Sequence, residues 1–126
     1  MMKEEIRSYR DLRVYQKAFE LQQEIFRVTK TFPRNEQYSL TDQIRRSSRS
    51  IGANLAEAWA KRRYPAHFTS KLTDADAEQL ETNHWIQTAF ECGYIEEGKT
   101  TELLKKLDEV AKMLGSMMVK ANSFTS

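Results

Sequence analysis

Six cations within one stretch of the chain have the chemistry that is easiest to name. Arg45 and Arg49 are four residues apart, Arg46 and Arg49 are three apart, and Lys61, Arg62 and Arg63 follow as a run. On a helix, side chains three and four apart project from neighbouring positions. Guanidinium groups match phosphate oxygens bidentately, so this spacing suits a nucleic-acid backbone. Tyr38 and Tyr64 lie at the two ends of the stretch, where their rings can stack on bases. The same arginines equally suit ion pairs with an acidic neighbouring helix.

Three further groupings have polar chemistry. Ser50, Asn54 and Glu57 fall three and four residues apart. They suit a hydrogen-bonded network that fixes register in a bundle or at a subunit contact, or else plain solvent exposure. Glu81 and His84 form a Glu-x-x-His pair with Glu78 one turn earlier, the arrangement that di-iron bundles use. A di-iron site needs two such pairs and two more glutamates. The chain has two histidines, and His67 has Arg63 and Tyr64 at the required offsets. Cys92 has no nearby histidine and falls at a helix C-terminus, which disfavours a thiolate. Ser47, Ser48 and Ser50 lack a glycine-framed elbow, and there is no glycine-rich phosphate loop. No catalytic residue, metal or cofactor is expected, and no small-molecule substrate is evident.

The elements that carry these residues are helices. Val14, Ala18, Leu21, Ile25, Val28 and Phe32 repeat at spacings of four and three and predict a first helix over about 9–31, closed by Pro33. A second apolar set, Leu12, Tyr15, Phe19, Phe26 and Thr29, lies beside it. The second helix is expected over 39–63, capped by Ser39 or Thr41, with Leu40, Ile44, Ser47, Ile51, Leu55, Ala58 and Arg62 on one face. Its middle, from Arg45 to Asn54, has weak helix propensity, but the flanking periodicity predicts a continuous helix. Gly52 within it implies a bend or the close approach of another backbone. The third helix is expected over 65–92, opened by Pro65 and stopped at Gly93. The fourth is expected over 96–121, with Leu103, Leu107, Val110, Leu114, Met117 and Ala121 as its seam and Leu104, Ala111 and Met118 as a second line. The tail, 122–126, is expected to fray.

Short connections favour antiparallel neighbours. The expected fold is therefore all-α: one domain over 1–126, an antiparallel up-down-up-down four-helix bundle. Two apolar lines on the first and fourth helices suit either wide buried faces or self-association.

Composition sets the outer limits. With 126 residues, four glycines and two prolines, the chain can bury a stable helical core without a metal or a disulfide. One cysteine, no signal-like N-terminus and no long apolar run predict a cytoplasmic protein with no membrane partner. Residues 38–63 carry six basic and two acidic groups, while residues 64–95 carry one and five. Either the two segments neutralise each other within the bundle or the basic one faces a polyanion.

Several stretches resemble the bacterial four-helix bundle proteins, also called the 23S rRNA-intervening-sequence protein family. They are Asp11-Leu12-Arg13-Val14-Tyr15-Gln16-Lys17-Ala18, Phe32-Pro33 followed by Glu36, Tyr38-Ser39-Leu40-Thr41-Asp42-Gln43-Ile44-Arg45-Arg46, and Ser50-Ile51-Gly52-Ala53-Asn54-Leu55-Ala56-Glu57. The third helix departs from the family pattern, with Ala75-Asp76 where many members have Gly-Ser, and on the second helix Ala58 stands where a glycine is usual. The resemblance implies a homo-oligomeric ring, a homopentamer, with no established enzymatic activity. It extends to the accessory protein of diversity-generating retroelements, a pentameric barrel thought to bind nucleic acid through basic residues. By that likeness Arg45, Arg46 and Arg49 are the first binding residues and Lys61, Arg62 and Arg63 the second. The expected function is a non-enzymatic oligomer that binds RNA or DNA by backbone electrostatics. The alternatives are a protein-interaction or scaffolding bundle and, remotely, a metal-binding bundle.

Overall fold

The structure, a computed structural model, describes residues 5–121. The expected fraying of 122–126 lies outside the described residues. Four helices follow in order: α1 (Arg13–Thr29), α2 (Leu40–Ala60), α3 (Pro65–Glu91) and α4 (Glu97–Val119), with no strand among the described residues. Helix α1 packs on α2 and α4, and α3 packs on α2 and α4, which closes the bundle. The apolar faces of the four helices meet inside. Leu21 and Ile25 of α1, Ile44, Ile51 and Leu55 of α2, Phe68, Leu72 and Ile86 of α3, and Leu103, Leu107, Val110 and Leu114 of α4 are all fully buried.

The helix ends differ from expectation, each for a local reason. Tyr9–Asp11 form a separate 3-10 turn, because Ser8 and Asp11 make a reciprocal capping box. Leu12 is then extended and buried, and α1 starts only at Arg13. At the other end Thr31 and Phe32 bond back three residues, to Val28 and Thr29, so the last turn tightens ahead of Pro33. Ser39 precedes α2 but caps it indirectly. Its hydroxyl donates to Glu36 Oε1 (2.5 Å), and the same carboxylate accepts the Leu40 N–H (3.4 Å).

Helix α2 is continuous through its weak middle. The hydroxyls of Ser47 and Ser48 donate to the carbonyls of Ile44 and Arg45, so both buried groups are satisfied. Gly52 is explained by a side chain rather than a backbone: a Cβ there would sit 3.3 Å from Tyr15 Cε1. The helix stops at Ala60, so Lys61, Arg62 and Arg63 lie in the turn beyond it rather than in its last turn. Pro65 opens α3 and Gly93, at φ 80°, closes it in the left-handed conformation that favours glycine.

The surplus of apolar surface is smaller than the sequence suggested. In the second line of α1, Leu12 and Thr29 are buried, Tyr15 and Phe26 are half-buried, and Phe19 is 44% exposed. On α4, Leu104, Ala111 and Met118 are half-buried.

Candidate nucleic-acid interface

The three central arginines do not share one neighbour. Successive helical residues are about 100° apart, so Arg45 and Arg49 share a side that Arg46 leaves. Arg45 and Arg49 turn toward α1. Arg45 Nε donates to Thr29 Oγ1 at 2.8 Å. Its guanidinium carbon lies 4.8 Å from the centre of the Phe26 ring, that of Arg49 lies 5.5 Å away, and Lys30 Nζ lies 4.9 Å away. Three cations therefore surround one half-buried ring. Among the described residues none of the three has a carboxylate within 4.0 Å. The ring face and the C-terminal end of α1 attract these charges, but each contributes about 1 kcal/mol or less at an exposed site.

Arg46 faces the other way. It pairs with Asp42 at 3.8 Å and lines a polar groove with Gln43, Ser47, Ser50, Glu78 and Glu81. Burial, reinforced by Glu81 and Asp74, holds the Glu78 carboxyl above its usual range. Lys61, Arg62 and Arg63 form a second positive group beyond the end of α2. Arg62 stacks 4.3 Å over the Trp59 ring and donates to the Trp59 carbonyl (3.0 Å), while Lys61 and Arg63 are exposed. Tyr64, 63% exposed, borders this group, and Tyr38 projects alone at the far end of α2, 89% exposed.

The remaining sequence candidates separate. Asn54 donates to the backbone carbonyl of Ser50 (2.9 Å), and Glu57 pairs across to Lys71 of α3 (3.4 Å). Ser50, Asn54 and Glu57 thus make no common buried network among the described residues. The buried polar contact is one turn away, where the hydroxyls of Ser47 and Thr82 meet at 2.9 Å. Glu81 accepts from Trp85 Nε1 (3.2 Å) and His84 packs edge-on against Trp85 (4.7 Å). No cluster of three or more metal-ligating side chains occurs among the described residues.

Block neutralisation of α2 by α3 is also absent. The one ion pair between these helices among the described residues joins the acid of the basic helix, Glu57, to the base of the acidic helix, Lys71. The strongest ionic cluster lies elsewhere and was not read from the sequence. Glu24 of α1, its side chain 11% exposed, accepts from Lys99 and Lys106 of α4, each at 2.6 Å, and Glu102 flanks both lysines. Burial alone would raise the Glu24 carboxyl, but the hydrogen bonds from Lys106 and Lys99 outweigh it and hold the group below its usual range. A glutamate three residues from Leu21 and next to Ile25 was the available signal, since that position falls on the buried face. At the same end of the bundle Tyr94 donates to Glu36 Oε2 (2.8 Å) and packs on Phe32 (5.5 Å between ring centres).

Comparison with known proteins follows this geometry. Residues 10–116 match the family described as 23S rRNA-intervening sequence protein. The chain belongs to that family. A solved structure from Bacteroides thetaiotaomicron VPI-5482, described as a protein with unknown function from the S23 ribosomal protein family, superposes with a TM-score of 0.76. It is 29% identical over 83% of this chain and 94% of its own. A search of curated proteins gave no match. The intervening-sequence protein described here thus shares its four-helix fold with a neighbour to which no activity is attached, and neither description names an enzymatic reaction. No helix among the described residues is long and apolar enough to cross a membrane.

Proposed function

We propose that this intervening-sequence protein is a non-enzymatic, cytoplasmic homo-oligomer that binds RNA or DNA by backbone electrostatics. The observation that carries this reading is the trio Lys30, Arg45 and Arg49 around Phe26, without a carboxylate partner among the described residues. An acidic partner helix is the usual reason for arginines on a bundle helix, and α3 does not fill that role for Arg45 or Arg49. Lys61, Arg62 and Arg63 extend the positive field beyond the end of α2. Along the helix axis the end of α2 at Ala60 lies about 16 Å from Arg49, a distance one extended strand can span.

The deciding measurement is fluorescence anisotropy of labelled single-stranded RNA, titrated with nuclease-treated protein at several salt concentrations. With three phosphates neutralised by the Phe26 cluster, log K falls with log salt at a slope of about 2. No binding at low salt, for RNA and then for duplex DNA, sinks the reading and makes a protein scaffold the better one. Arg46 is expected to matter least: Arg46→Glu changes affinity by only about twofold to threefold, because its field is already compensated locally and screened by salt.

The family resemblance supports a ring of five. The half-buried line Leu104, Ala111 and Met118, with Val119 exposed beside it, offers apolar surface on α4 for such a contact. Light scattering on the purified protein then returns a mass near five times 14.8 kDa. A monomer mass removes the ring.

A further inference from the structure

Next to the cation cluster the α1–α2 surface opens into a slot that the electrostatic reading does not use. Its wall is aromatic. Tyr15 and Phe19, four residues apart on α1, hold their rings within 28° of parallel, 6.1 Å between centres. Tyr9 braces Tyr15 edge-on at 4.8 Å. The floor, on the α2 side, is formed by Ala53 and Ala56, whose side chains are small, with Gly52 buried under the Tyr15 ring, and Gln22 and Arg49 complete the lining. The slot measures about 290 Å³. It continues over the outer face of Phe19 into a wider apolar groove edged by Arg10 and Glu20.

We infer that this slot takes the unpaired bases of a single-stranded nucleic acid, an inference that rests on the binding reading above. Three observations select that occupant. The exposed surface is the face of an aromatic ring, which every base can stack on regardless of sequence. Arg49 belongs both to the slot and to the ring of cations on Phe26, so a phosphate held there places the adjoining base beside Tyr15 and Phe19. Phe26 and Phe19 are two turns apart on α1, about 10 Å, which is a short step along an extended strand. A second copy of the chain fits less well, because a purely apolar contact there buries Arg49 without a counter-charge. Duplex bases are already stacked and paired, so the slot favours single strands over duplex of the same charge.

The test compares a labelled oligouridine with an abasic strand of equal phosphate number, by anisotropy at fixed salt, for the wild-type protein, Ala53→Leu and Phe19→Ala. Both positions are exposed, so both variants are expected to fold. The wild type is expected to hold oligouridine about tenfold more tightly than the abasic strand, from one stacked base. Ala53→Leu fills the floor and Phe19→Ala removes the wall. Either is expected to bring oligouridine down to the abasic level while abasic binding stays unchanged. Equal wild-type binding of the two strands overturns the slot and leaves the electrostatic reading standing. Binding of neither strand overturns that reading, and the slot with it. If Ala53→Leu instead changes the sedimenting mass and spares the preference for bases, the slot is a contact between copies and the inference is wrong.

Discussion

Glu24→Ala is expected to destabilise the fold by about 2 kcal/mol, more than any other single surface-charge substitution in the molecule. The carboxylate is mostly enclosed and receives two ammonium groups at 2.6 Å from the facing helix. Removing one member of a buried pair costs about 3–5 kcal/mol when the partner charge is stranded. Here Lys99 and Lys106 are partly exposed and recover water, which brings the cost below that range, to about 2 kcal/mol. Glu102→Ala touches the same lysines from the rim and is expected to cost about 0.5 kcal/mol or less. Urea denaturation of the two variants at neutral pH checks the contrast, and equal midpoints count against a clamp centred on Glu24.

The same cluster gives a pH dependence with a definite sign. Glu24 is held below the ordinary carboxylate range, so its contribution is complete above the unfolded value, about 4.3. It is lost as the pH falls through the lower folded value. Lys106 and Lys99 are raised, chiefly by their hydrogen bonds to Glu24, so their contribution is complete below about 10.4 and is lost as pH rises beyond the folded values. The clamp is therefore flat across neutral pH and fails at both ends. In Glu24→Gln the carboxylate limb is gone. Its stability deficit against the wild type should shrink as the pH is taken below about 4. A deficit that stays constant down to that pH points to lost packing instead.

This clamp shows where reading the chain stops. Most of the seams were legible because burial repeats every three and four residues, but Val28 is only half-buried, Arg62 and Ala121 fall beyond the ends of α2 and α4, and the buried Thr41 and Thr100 lie outside the expected lines. Glu24 was not legible, because its partners lie 75 and 82 residues away and only packing brings them together. Summing charge by segment misled for a related reason. It made α2 basic and α3 acidic, but it carried no angle around the helix axis. Once α2 is formed, Arg46 pairs with Asp42 of its own helix and lines a groove with Glu78 and Glu81, while Arg45 and Arg49 turn to the end of α1, so among the described residues none of the three is ion-paired to α3. The helix ends needed side-chain detail of the same kind. A capping box at Ser8 and Asp11 split one expected helix into a 3-10 turn and α1, and the stop at Ala60 left Lys61–Arg63 in a turn. Gly52 was recognised as a close approach, but the approaching group, the Tyr15 ring, is set by how α1 rotates against α2.

That rotation sets up the most informative pair of variants. Arg45→Glu with Arg49→Glu is expected to lower affinity for single-stranded RNA by more than about a hundredfold, since two attractive charges become two repulsive ones at the same place. The neutral pair, Arg45→Gln with Arg49→Gln, isolates the contacts. It removes two phosphate neutralisations, so the salt slope should flatten by about 1.4. Both pairs forfeit the Arg45–Thr29 hydrogen bond, worth about 1 kcal/mol, and a small shift in the urea midpoint is expected with helicity intact. Under the scaffolding reading the order of effects reverses. The arginines then serve assembly, so the charge reversal changes the oligomer mass, and the anisotropy of labelled RNA stays at its free value for the wild type and for both pairs. Light scattering and salt-dependent anisotropy on the same two preparations separate the readings, because repulsion of a phosphate and loss of a subunit contact cannot produce the same pair of results.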